Sequence, residues 1–203
     1  MMKSMKAVLF AFFCLNAMNI VNGFLKPLAE LNSFFTSRRI STTGVAAAQY
    51  PIKGDESIMS KKKHGTSDVP VQKNLKYGVD REVADRICNF NRHYAEYAGY
   101  AWSTEWLKTV DPTRETTYYD SNTGKPLFIA PRGRTFEEFM KESQAHGWPS
   151  FRDEEVVWDS VRVLPDGEAV SVDGTHLGHN LPDRNGNRYC INLVSVAGTP
   201  EEN

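Results

Sequence analysis

Gly174-Thr175-His176-Leu177-Gly178-His179 and, after a short connection, Gly186-Asn187-Arg188-Tyr189-Cys190-Ile191-Asn192 concentrate the chemistry of this chain. A thiol reacts chiefly as its thiolate, a form that nearby positive charge and hydrogen-bond donors favour. Arg188, Cys190 and Asn192 are spaced by two, so an extended strand carries all three on one face. The two histidines come from a preceding loop. Taken singly, each part is ordinary: a cysteine in an apolar strand is commonly buried and inert, and histidines three apart commonly serve a turn. Their co-occurrence with a third segment, Gly147-Trp148-Pro149-Ser150-Phe151, changes that reading. A tryptophan between glycine and proline sits on a constrained loop and can wall a pocket.

Working outward, 189–196 reads as an apolar, β-branched closing strand, and 184–187 as a tight turn. Pro165-Asp166-Gly167 is a hairpin turn between strands at 156–164 and 168–172. Further upstream, Thr135 opens a helix whose capping box is completed by Glu138. Residues 115–119 are a short strand candidate, Ser121-Asn122-Thr123-Gly124 is a turn, and 126–128 follow as a brief apolar segment. Short strands, tight turns and one or two helices imply a mainly antiparallel β domain. Val83, Ile87, Phe90, Tyr94 and Tyr97 recur at helical spacing, so a helix is expected over 80–97, capped by Asp80 and stopped by Gly99. Its aromatic stripe is expected to dock on the domain.

Residues 51–76 lack apolar periodicity and are expected to form a linker, with folding beginning near residue 75. At the amino terminus, Lys3 and Lys6 flank an apolar run at 7–15 that is too short for a bilayer. Together with the small residues near Gly23 it reads as a secretory signal peptide. From Phe24 to Gln49 there is a single acid, Glu30, against Lys26, Arg38 and Arg39, amid many Ser, Thr and Ala residues. That composition is transit-like. A signal followed by a transit segment resembles the two-part presequences of algae with secondary plastids, so a plastid is expected, with secretion or the endomembrane lumen as the alternative. The organisation is therefore 1–23 signal, 24–74 leader and linker, 75–112 helical aromatic-rich extension and 113–203 β-rich domain.

A net charge of −1 over 203 residues gives no electrostatic footprint for nucleic acid. Of three cysteines, Cys14 lies in the signal region, leaving Cys88 and Cys190, which is no disulfide framework.

Three separated segments together, Gly-Trp-Pro-Ser-Phe at 147–151, His-Leu-Gly-His at 176–179 and Arg-Tyr-Cys-Ile-Asn at 188–192, resemble the methionine sulfoxide reductase B family. The resemblance covers roughly 115–197. It implies two small antiparallel sheets packed on each other (the β-tent arrangement), here with an N-terminal helical extension. It also implies reduction of the R-epimer of methionine sulfoxide, free or in oxidised proteins. A monomer with no stable membrane span after processing is expected. Cys190 matches the catalytic cysteine, and His176, His179 and Asn192 match residues that position the substrate and its oxygen. Trp148 matches the wall for the sulfoxide methyl group; Arg188 and Phe151 are expected beside the substrate.

Two departures from the family pattern follow. Many members bind a structural zinc through two Cys-X-X-Cys pairs; Asp120, Thr123, Val170 and Asp173 stand at those positions, so no zinc and no other cofactor is expected. His146 stands where many members carry a resolving cysteine, and Leu181 where an aromatic is common. Cys88 is then a possible resolving thiol, although an external reductant (thioredoxin, glutaredoxin or glutathione) is the expected one. Two rival readings are a catalytically idle relative that binds sulfoxide or a partner, and a cysteine hydrolase. The second lacks a Gly-rich oxyanion-hole signal beside Cys190.

Overall fold

Cys190 is carried by a five-stranded antiparallel sheet ordered β3-β7-β6-β5-β4. Its strands are β3 (Ser150–Phe151), β4 (Val161–Val163), β5 (Glu168–Ser171), β6 (His176–Asn180) and β7 (Tyr189–Ile191). A second antiparallel sheet pairs β1 (Thr116–Tyr119) with β2 (Pro126–Ala130). The computed structural model describes residues 49–200; the expected signal peptide and most of the transit-like segment lie outside the described residues. Two small antiparallel sheets with few helices are the expected architecture. Among the described residues no helix is long and apolar enough to cross a membrane.

Aromatic rings fill the space between the sheets. Phe151 stacks on Phe128 with centroids 4.3 Å apart, and Tyr118 meets Phe151 edge-on at 5.2 Å. Phe139 adds a third side from helix α3 (Phe136–His146). Burying each such ring contributes about 2–3 kcal/mol. Thr135 and Glu138 form the expected capping box of α3, and Gly147 ends it at φ 85°. A Cβ on Gly147 would lie 2.9 Å from that of Ala98, so this glycine lets the Trp148 loop close against the N-terminal segment.

That segment departs from expectation. The helix α1 runs only over Arg81–Asn89, capped by Asp80 as expected, and packs on the 3-10 turn Leu193–Ser195 and on β6. It stops because Asn89 turns inward: its side chain accepts from Ser67 and Asn122 and donates to Asp85, while its carbonyl accepts from the Thr66 amide. Phe90, Tyr94 and Tyr97 are exposed rather than docked. Trp106, on the one-turn helix α2 (Trp106–Thr109), is instead fully buried and donates to the Tyr118 hydroxyl at 3.2 Å.

The stretch expected as a linker is also packed. Lys53 bridges Val163 at the open edge of β4, Met59 is buried with Leu164 and Val170, and Val71 joins the main core. Isolated apolar residues with no periodicity gave no signal of this. Two further expectations are corrected. The histidines lie on a strand, β6, rather than a loop. The closing strand ends at Ile191, because the amides of Leu193 and Val194 turn to a carboxylate, that of Glu96.

Candidate active site

Cys190 sits at the middle of β7, in register with His179 on β6 and with Ser150 on β3. Directly opposed residues in an antiparallel pair hold their Cβ atoms roughly 5 Å apart. The half-buried thiol opens into a cavity of about 310 Å³. Burial pushes the Cys190 thiol up; the Arg188 charge, with hydrogen bonds from Arg188 and Ser150, pulls it back without overcoming burial. Arg188 is itself buried, and its Nε and Nη1 find no hydrogen-bond partner among the described residues. Its nearest carboxylate is Asp183, at 3.6 Å.

Both histidines face the same cavity although they are three apart on a strand. An irregularity in the β5–β6 register accounts for this. Ala169 pairs with Gly178 but Val170 pairs with His176, so Leu177 is the extra residue of a bulge that re-aims its neighbour. Gly178 sits at this point because a Cβ there would come within 2.1 Å of the Cys190 carbonyl oxygen. His176 is buried, with Nδ1 2.7 Å from Glu168 Oε1. The other Glu168 oxygen accepts from Arg92 Nε at 2.9 Å. Burial would push the Glu168 carboxyl up, but the bonds from His176 and Arg92 hold it below the usual carboxylate value. His179 is pushed down, first by burial and then by the neighbouring His176.

Trp148 forms one wall of the cavity and donates its Nε1 to the Glu96 carbonyl at 3.1 Å. Asn192, in the cavity floor, accepts from the Glu96 amide at 3.3 Å and donates to the Leu177 carbonyl at 3.2 Å. The opposite rim comes from His93, Tyr94 and Ala95, with Leu181 on the outside. The loop after α1 therefore builds one side of the site, where the aromatic spacing predicts a helix docked on the domain. Glu96, Glu168 and Arg92 were missed as well. A glutamate directly after the Pro165-Asp166-Gly167 turn, opening a strand with Ala169 and Val170, was the available signal for Glu168.

Over 105 residues the chain is 34% identical to the peptide methionine sulfoxide reductase MsrB of Methanosarcina mazei, an alignment spanning 46% of this chain and 74% of that protein. It is 33% identical over 105 residues to the protein of the same name from Methanosarcina barkeri, spanning 46% and 73%. The chain belongs to the peptide methionine sulfoxide reductase B family. No family model matches it.

Within that family frame, Cys190, His176, His179, Asn192 and Trp148 meet at one cavity, and Arg188 stands beside the thiol outside the cavity lining. Phe151 does not reach the cavity: it is wholly buried in the aromatic core, because a strand residue next to the Cys190-paired Ser150 points to the other face. Cys88 is fully buried on the inner face of α1, its sulfur 3.6 Å from Ser195 Oγ, and burial pushes its thiol up. The positions matching the zinc ligands do not fit that metal. Asp120 is buried and accepts from Thr175 Oγ1 at 2.9 Å and from the Asn122 amide at 2.8 Å. Asp173 pairs with Lys125 at 2.9 Å, and Val170 offers no donor atom and packs on Met59 and Leu164. Among the described residues no group of three or more His, Cys, Asp or Glu side chains is placed to hold a metal ion.

Proposed function

We propose that the protein reduces methionine-R-sulfoxide, free or within oxidised proteins, to methionine through a sulfenic acid on Cys190. The observation that carries this reading is the cross-strand pairing of Cys190 with His179 in a cavity walled by Trp148. A sulfoxide yields to a thiolate only when its oxygen gains positive character, which a histidine can supply near neutral pH. Thiolate, sulfoxide and one proton give sulfenic acid and thioether: the cysteine sulfur loses two electrons and the substrate sulfur gains them. The apolar indole face suits the methyl group, which has no polar handle.

Regeneration is assigned to an external thiol of the thioredoxin, glutaredoxin or glutathione class. Two thiols reduce the sulfenic acid to Cys190, releasing a disulfide and water. Cys88 is a poor candidate for this step because its sulfur is buried between α1 and the Leu193–Ser195 turn. The protein works in this reading as a monomer without a resident metal, in a plastid reached through its two-part leader. Mass spectrometry of the mature amino terminus in cells tests that leader: a terminus between Phe24 and Gln49 is expected, and an intact Met1 overturns it.

The activity test is a turnover assay on the full chain with separate R and S epimers of a blocked methionine sulfoxide, dithiothreitol as reductant and excess metal chelator. R-specific turnover, abolished in Cys190→Ser, is expected. A second reading, a catalytically idle relative that holds sulfoxide, draws on the upward push that burial exerts on the Cys190 thiol. Folded protein that turns over neither epimer, with or without chelator, would leave that reading standing.

A further inference from the structure

The cavity that holds Cys190 is small. At about 310 Å³ it stands at the lower end of ligand pockets, which span roughly 300–1,000 Å³. One methionine sulfoxide side chain is a sufficient occupant, so whatever flanks that residue in a polypeptide has to lie at the mouth. Two large apolar side chains line the cavity while staying open to solvent: Tyr94, 58% exposed, and Leu181, 46% exposed. They come from different segments, Tyr94 from the loop after α1 and Leu181 from directly after β6.

Exposed apolar side chains are common, so what each does within the molecule matters. Phe90 lies edge-on to His64 at 4.8 Å. Tyr97 meets Tyr100 edge-on at 5.4 Å, and its hydroxyl is 2.9 Å from Ser103 Oγ. Tyr94, between them in the chain, has neither a ring partner nor a hydrogen bond to its hydroxyl among the described residues. Charge is missing from the mouth as well. None of the residues lining the cavity carries a fixed charge; the titratable ones are the thiol, Tyr94 and three histidines. Arg92, two residues before Tyr94, is engaged by Glu168 and Glu56, and Arg188 is buried outside the lining.

We propose that Tyr94 and Leu181 form a subsite for the residue next to methionine sulfoxide, and that the protein selects oxidised segments in which this neighbour is apolar, above all aromatic. This rests on the reductase reading above and adds a sequence preference to it. An apolar flank that settles on Tyr94 and Leu181 removes apolar surface from water on both partners, and a ring against the Tyr94 ring adds an aromatic contact. A charged flank would lose hydration there and meet no counter-ion. A glycine flank gains neither contact.

The test compares two blocked pentapeptides as substrates of the full chain, with dithiothreitol as reductant. One carries methionine-R-sulfoxide between two phenylalanines, the other carries it between two glycines. In the wild type kcat/KM should favour the phenylalanine peptide by roughly 3–10-fold, the scale of one aromatic contact, chiefly through KM. Tyr94→Ser should bring that ratio close to one, Tyr94→Phe should keep it, and Leu181→Ser should reduce it by less. A wild-type ratio near one, or a ratio unchanged in Tyr94→Ser, overturns the proposal. Dithiothreitol replaces any protein reductant, so a mouth that serves only to dock such a reductant gives that second result. Binding separates this from failure of the reductase reading. In Cys190→Ser, calorimetric Kd values for the same peptides should show the same preference, and adding Tyr94→Ser should abolish it. That outcome supports the subsite even if the wild type turns over neither peptide. Equal Kd values, or no binding of either peptide, overturn it.

Discussion

Burial pushes the carboxyl of Glu96 up to about 7, against the two amide hydrogen bonds from Leu193 and Val194 that pull it down. Its ordinary value is 4.5. Between those two pH values the folded state holds a proton that the unfolded state has released. Stability from this group is therefore complete below about pH 4.5 and is lost as pH rises toward 7. In Glu96→Gln that loss should vanish, so the wild type should lose stability relative to the variant between pH 5 and 8 in urea titrations. Parallel pH dependences of the two would refute the assignment. Residues such as Cys190, His176 and Trp148 were legible because their identity and local spacing carry the chemistry. Glu96 and Arg92 were not, since what defines them is contact across 97 and 76 positions. Nothing near them in the chain marks a glutamate or an arginine that will be drawn inward.

Elements divide along a similar line. The capping box of α3, the hairpin turn at 165–167 and the strands flanking it follow from local rules, and all were readable. The bulge in β6 was not, because a strand's period places residues 176 and 179 on opposite faces and only pairing with β5 reveals the extra residue. Helix α1 ended early for a comparable reason: the aromatic spacing continued, but Asn89 found better partners off the helix. The bulge depends on the close approach of β6 to β7 at Gly178. Gly178→Ala puts a methyl group 2.1 Å from the Cys190 carbonyl oxygen, at φ 153°. Backbone must shift to relieve it, at a cost of roughly 1–3 kcal/mol. Thermal unfolding should report that loss, and alkylation of Cys190 should change in rate because the strand bearing it moves. Wild-type values in both measurements would show that β6 and β7 are not locked in this register.

At the scale of the whole described molecule, the parts are tied by a buried polar chain rather than by sheet contacts alone. His64 pairs with Asp85; Asp85 meets Asn89; Asn89 meets Ser67 and Asn122; Asn122 meets Thr175; and Thr175 meets Asp120. The chain joins the stretch expected as a linker, helix α1, the β1–β2 turn and the residue preceding His176. It occupies the corner where the family resemblance had placed metal ligands. A protein beginning at residue 75 would lose His64 and Ser67 from this network and Met59 and Val71 from the cores. Two buried side chains contribute about 2 kcal/mol each, and a buried amide left short of a partner costs about 1–3 kcal/mol. The sum, roughly 5–7 kcal/mol, rivals the whole stability of a typical domain, about 5–15 kcal/mol. A chain starting at residue 75 should therefore unfold at a much lower urea midpoint than one starting at residue 49, or show no cooperative transition. Its sulfoxide turnover should fall with it, since Arg92 and Glu96 are held in place by the same packing. Equal midpoints for the two would mean that 49–74 rests on the domain without supporting it, and the sequence-based boundary near residue 75 would then be the physical one.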